Sequence, residues 1–153
     1  MTKGSECTMM RRTGAGDPGP CPCAKPEAAV RDLLSATDLW GAIPVPVVRI
    51  AAALRIAVMQ TAFTEPGLVG LVVVDARERT IYVRREDPLV HQRLVIAHAL
   101  GHYWMHMRGG DVRGFKDFAA QLAWDAPNNP GPLEREANQF AAELLMPRSR
   151  CAG

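Results

Sequence analysis

Hydrophobic positions recur at helical spacing in two early stretches. Behind Pro26, which suits the first position of a helix, Ala28, Val30, Leu33 and Leu34 line one face. After a break around residues 41–46, Ile50, Ala53, Leu54 and Val58 share a face and predict a second helix over about 47–62. The pattern changes at Pro66-Gly67. Residues 68–74 are apolar and increasingly β-branched, and residues 80–84 read Thr-Ile-Tyr-Val-Arg. The mostly polar residues 75–79 between them have hairpin length. An antiparallel hairpin is expected, with its first strand buried on both faces.

Asp87 is a good N-cap and Pro88 a good first helical residue, so a helix should open there and run over 89–108. Within it only Gly101 weakens the pattern, and Gly109-Gly110 ends it. A loop-like stretch with a short helix near 115–124 is expected next. The turn cluster Asn128-Asn129-Pro130-Gly131-Pro132 then leads into a last helix over 133–146, stopped by Pro147. Residues 1–25 differ from all of this. Their Gly14-Ala15-Gly16-Asp17-Pro18-Gly19-Pro20 core offers almost nothing to bury, so they read as a disordered Gly/Pro/Cys-rich tail. Residues 26–153 are then expected to form a single α+β domain.

Composition supports this and removes several classes. With 153 residues, 48% of them hydrophobic and 22% charged, the chain can build one ordinary globular core, which excludes wholesale disorder, collagen and coiled coil. Eighteen Lys and Arg against sixteen acids leave a formal charge of +2. That balance argues against direct nucleic-acid binding or a polybasic membrane surface. No run approaches the roughly 20 apolar residues of a spanning helix, and no apolar segment follows Lys3, Arg11 and Arg12 as a leader would require. The expected compartment is the cytoplasm. Cys7, Cys21, Cys23 and Cys151 match no closed zinc knuckle and read as reduced thiols in the tails.

The histidines carry the chemistry. All four, His91, His98, His102 and His106, lie on one predicted helix and within roughly 80° of arc. His98 and His102 are spaced i, i+4, which lets two imidazole nitrogens meet one zinc without bending the backbone. On a straight helix the Cα of His106 lies about 12 Å from that of His98, too far for three ligands to one ion. A place behind the ligands or in a groove suits it better, and His91 is likewise a poor ligand. A third donor is best sought in the last helix, where Leu133, Ala137, Phe140, Ala141 and Leu144 form the apolar stripe. Glu134 sits at the edge of that stripe, one turn from Asn138, whose amide can orient a neighbouring ligand. A solvated surface glutamate is the competing reading, and spacing alone does not separate the two.

Two motifs in order carry a resemblance. They are Ile96-Ala97-His98-Ala99-Leu100-Gly101-His102 followed by His106, then Glu134-x-x-Ala137-Asn138-x-Phe140-Ala141-Ala142-x-Leu144-Leu145-Met146-Pro147. Together, after a hairpin, they resemble the ImmA/IrrE family of zinc metallopeptidases over roughly residues 47–147. The resemblance implies a zincin-like α+β fold, with a small antiparallel sheet or hairpin packed on an active-site helix and further helices. It also implies one zinc ion per chain held by His98, His102 and Glu134, with Asn138 and His106 as supporting residues. Glu136 is the next carboxylate to try.

One departure bears directly on activity. The family pattern is His-Glu-x-x-His, and the glutamate position is Ala99 here. A general base of this kind is worth about 10²–10⁴-fold in rate, and alanine transfers no proton. The resemblance implies a zinc endopeptidase (a hydrolase) acting on a helix-turn-helix transcriptional repressor. Ala99 favours the alternative, a zinc-binding pseudoprotease that holds such a regulatory protein without cutting it. Restoring glutamate at position 99 is expected to separate the two by creating or raising cleavage.

Overall fold

The computed structural model describes residues 25–41, 43–108, 112–122 and 131–146. The tail at residues 1–24 and all four cysteines lie outside the described residues, as does Pro147. The order of elements is α1 (Pro26–Thr37), α2 (Val47–Ala53), β1 (Ala57–Thr61), β2 (Leu68–Val74), β3 (Arg79–Arg84) and α3 (Leu89–Gly101). The histidine helix then continues as a π-helical turn, His102–Met107. After it come β4 (Gly114–Phe118), a 3₁₀ turn (Ala119–Gln121) and α4 (Pro132–Leu145).

The predicted second helix is cut in half. It ends at Ala53, and residues 57–61 leave it to become β1. The reversal is a Schellman cap, with the Ile56 N–H on the Ala51 carbonyl at 2.9 Å and the Arg55 N–H on the Ala52 carbonyl at 2.9 Å. Arg55 takes the left-handed conformation that glycine usually fills there, at φ +63°. Nothing in the residue type signals the stop. The Arg79 guanidinium secures it, donating to the Leu54 and Arg55 carbonyls at 2.8 and 3.2 Å. Arg79 therefore holds a helix end.

The hairpin forms as expected, with Val72 opposite Ile81 and Gly70 opposite Val83. Asp75 closes its turn by accepting from the Arg77 and Glu78 N–H groups at 2.7 and 2.8 Å. The sheet around it is larger than predicted and mixed. Its order is β1-β3-β2-β4, with β1 parallel to β3 and β4 antiparallel to β2. The stretch expected to hold a short helix near 115–124 thus contributes the edge strand β4, followed by only one 3₁₀ turn. β2 is also less enclosed than expected: Gly70 and Val72 are buried, whereas Leu71 and Val73 are only half-buried.

The buried face of the sheet, built from Gly70, Val72, Ile81 and Val83, receives α3. Behind α3 lie α4 and α1, which add Phe140, Leu144, Val30, Leu33 and Leu34 to one continuous core. The histidine helix is therefore enclosed on both sides, and Ile96, Ala97, Ala99 and Leu100 are all buried. Two glycines set how closely it is clasped. A Cβ at Gly70 would lie 2.4 Å from Val95 Cγ1, and one at Gly101 would lie 3.0 Å from Phe140 Cδ1. Gly101, which reads in the sequence only as a weak point in a helix, is where α4 crosses it.

Candidate metal centre

The amino end of α3 is anchored by a glutamine rather than by the expected aspartate cap. Pro88 is the N-cap and Asp87 makes no cap bond. Buried Gln92 Nε2 instead donates to the carbonyls of Asp87, Arg84 and Arg85 at 2.9, 3.2 and 3.4 Å, and its Oε1 accepts from Gln60 Nε2 at 3.0 Å. This ties the helix to the ends of β3 and β1. The Asp87 carboxylate meets His91 Nδ1 at 3.0 Å, so His91 is held at the helix start, away from the other three histidines.

Two turns on, His98 and His102 face inward with no solvent exposure, their Nε2 atoms 3.1 Å apart. Glu134, in the first turn of α4, reaches both. Its Oε1 lies 3.1 Å from His98 Nε2 and its Oε2 lies 3.3 Å from His102 Nε2. Asn138 is buried one helical turn beyond it. A fourth group completes the cluster, and sequence reasoning missed it. Asp117, fully buried on β4, places Oδ1 3.3 Å from His98 Nε2 and 3.5 Å from His102 Nε2.

Strand register explains how an edge aspartate comes to point inward. Asp117 pairs with Gly70, whose face of the sheet packs on α3, and Phe115 pairs with Val72 on the same face. Phe115 stacks on the His102 ring, centroids 3.9 Å apart and planes 11° apart. Lys116 between them faces outward to Glu65 at 3.0 Å. The period of two in Phe115-Lys116-Asp117 was present in the sequence. An acid in the apolar phase disguised it, because inward aspartates are rare unless paired or bound to metal.

The π-helical turn accounts for His106. It does not join the four donors, but its Nδ1 lies 3.1 Å from His102 Nδ1 while its Nε2 lies 2.9 Å from Glu136 Oε1. The Glu136 carboxylate can only accept, so His106 donates from Nε2. With His106 neutral, its Nδ1 then accepts the Nδ1–H of His102, leaving the His102 Nε2 lone pair aimed into the cluster. Neutrality has a physical cause, since burial foremost and the neighbouring His102 depress the His106 pKa, against the opposing pull of Glu136.

Charge within the cluster is strongly coupled. Burial draws His98 toward its neutral form, but Asp117 and Glu134 overcome it and push the pKa up to about 9. Glu134 shows the reverse balance: burial raises its pKa, while His102 and His98 hold it down to about 2. Asp117 is likewise held below the ordinary carboxylate range by both histidines, against burial.

These residues fit a metal ion. One ligand atom from each of His98, His102, Asp117 and Glu134 lies within 4.8 Å of the others. Both Asp117 oxygens and His98 Nδ1 are buried without a hydrogen-bond partner. A proton on His98 Nε2 cannot serve two carboxylates and the His102 lone pair together, whereas a divalent cation can. Two imidazoles and two carboxylates are donors that zinc accepts. Ala99 is fully buried in the apolar core beside His98, and no carboxylate stands at that position.

A His-x-x-x-His helix clasped between a small mixed sheet and a glutamate-bearing helix is an α+β arrangement consistent with a zincin-like domain, and its buried donor cluster is compatible with a metal ion. The family model for the IrrE N-terminal-like domain, Peptidase_M78, matches residues 51–152. The chain belongs to that metallopeptidase family. No curated protein matches it.

Proposed function

We propose that this chain is a non-hydrolytic member of its family, a pseudoprotease that holds one zinc per chain and binds a regulatory protein. The proposed partner is a helix-turn-helix repressor, met in the cytoplasm and without direct contact of this chain with nucleic acid. The carrying observation is Ala99, buried in the core at the position of the family's proton-transferring glutamate. In this reading His98, His102 and Glu134 hold the metal. His106 orients His102, and Asn138 supports the Glu134 end of the site. Zinc bound there would supply Lewis acidity, polarising a carbonyl and lowering the pKa of water toward about 7. Turnover also needs a proton carrier, and Ala99 is none.

A second reading has one observation in its favour. Asp117 is a carboxylate beside His98, in reach of the place where an active endopeptidase needs a base. Metal content and proteolysis together decide. The parent is expected to carry zinc at one per chain, to lose it in Glu134→Ala, and to bind a purified repressor without cleaving it. Cleavage by the parent that disappears in His98→Ala would overturn the non-hydrolytic reading. A parent that takes up no zinc would overturn the metal site itself.

A further inference from the structure

The sheet edge offers the metal more than the family motif does. Hydrolytic zinc sites keep three protein ligands and leave a fourth position open, whereas structural sites are closed by four. We infer that Asp117 is a fourth protein ligand, so that this chain's centre is a closed site with no position left for a substrate or water. The inference rests on the metal-site reading above and extends it to residues outside the two family motifs.

Distances between donor atoms support it. Four ligands at zinc bond lengths form a tetrahedron with edges of about 3.3–3.4 Å. His98 and His102 Nε2 are separated by 3.1 Å, and the Glu134 carboxylate spans both, with Oε1 3.1 Å from His98 and Oε2 3.3 Å from His102. Asp117 Oδ1 stands at 3.3 and 3.5 Å from the same two nitrogens, the spacing of a ligand among ligands. A base acting on a water would stand one water further out. Burial points the same way, because both Asp117 oxygens are sealed from solvent and lack hydrogen bonds. Such a carboxylate costs several kcal/mol unless a charge balances it.

Closure and the loss of the base then belong together. With the fourth position filled by Asp117, a glutamate at position 99 has no water to act on. Cobalt(II) in place of zinc reads this directly, because its visible spectrum reports coordination number and responds when an anion enters an open position. The parent, loaded with one cobalt per chain, is expected to keep its spectrum unchanged on titration with azide. Asp117→Ala is expected to bind zinc more weakly by more than the roughly 10–100-fold that loss of an outer contact costs, and its cobalt spectrum should respond to azide. Asp117→Asn, which keeps the side-chain shape, is expected to weaken zinc binding in the same direction. Should Asp117→Ala fail to fold, the azide titration of the parent decides alone. An azide response in the parent, or unaltered zinc affinity in both variants, would overturn the fourth ligand. Loss of metal in Glu134→Ala beside that result would leave the three-ligand site standing. A parent that binds neither metal would remove both.

Discussion

The metal centre has two walls, and they have different histories in the sequence. The helical wall, His98 and His102 on α3 with Glu134 on α4, keeps the residue types and spacing of a metallopeptidase. The strand wall, Phe115 and Asp117 on β4, belongs to no motif, yet it supplies the ring stacked on His102 and a buried carboxylate. In the proposed function, holding a metal and using it are separable demands: the candidate donors stand on the helices, while Ala99 offers no proton carrier.

The sharpest way to strain that comparison is pH, because both walls pull on His98. In the metal-free protein its folded pKa of about 9 exceeds the ordinary 6.5. Its contribution to stability is therefore complete below pH 6.5 and lost as pH rises through 9. Glu134 runs the other way, from 4.5 down to about 2, so its contribution is complete above pH 4.5 and lost as pH falls through 2. Chelator-treated protein is expected to be most stable between pH 4.5 and 6.5, with a loss on the order of 3 kcal/mol along either limb. Zinc must displace the His98 proton, so the stabilisation it adds should grow from pH 6.5 toward 9. Denaturant titrations across this range check both. A metal-free stability that stays level from pH 6.5 to 9 would contradict the proposed coupling.

Gly70→Ala tests the strand wall from behind. The added methyl meets Val95 Cγ1 at 2.4 Å, and Asp117 Oδ2 at 3.4 Å. Overpacking of this kind costs about 1–3 kcal/mol. The variant is expected to lose that much stability and also to bind zinc less tightly, because α3, which carries Val95 together with His98, must shift away from the sheet. Chemical denaturation beside zinc titration separates the two effects; a stable variant with full zinc affinity would mean that the donor geometry does not depend on this close approach.

Much of this site could be read from residue order, and the unreadable part has a physical cause. The histidine helix was legible because i, i+4 spacing fixes which side chains share a face. Asp117 was not, because a strand's inward phase is known only once its partner is known, and the partner Gly70 lies 47 positions earlier in the chain. His106 fell between the two. Its separation from His98 argued against a place in the donor set, and the π-helical turn that brings it to His102 Nδ1 leaves no mark in residue type.

Glu136→Gln probes the helical wall more gently. The carboxylate accepts from His106 Nε2, and His106 in turn fixes which nitrogen of His102 carries the proton. An amide can present its NH₂ to that nitrogen instead, and the preference is lost. Outer partners of this kind are worth about 10–100-fold in metal affinity. Glu136→Gln is expected near the lower end, because the carboxylate is 45% exposed and water can replace it. His106→Ala should cost more, since it also opens space beside Phe115. Competition with a zinc-binding dye measures both, and equal affinity in all three proteins would dismiss the chain of contacts.

The smallest expected effect lies far from either wall and concerns the helix that the sequence overextended. Arg55 holds a left-handed conformation at φ +63°, which costs an L-residue about 1–2 kcal/mol. Glycine would relieve that strain but lose roughly 0.5–1 kcal/mol more backbone entropy on folding. Arg55→Gly should therefore raise stability by about 0.5–1 kcal/mol and leave zinc affinity unchanged. The Schellman bonds use backbone atoms only, and Arg79 reaches the carbonyl rather than the side chain of residue 55. A loss of stability instead would mean that the arginine side chain secures the turn, and that α2 stops for a reason other than its backbone.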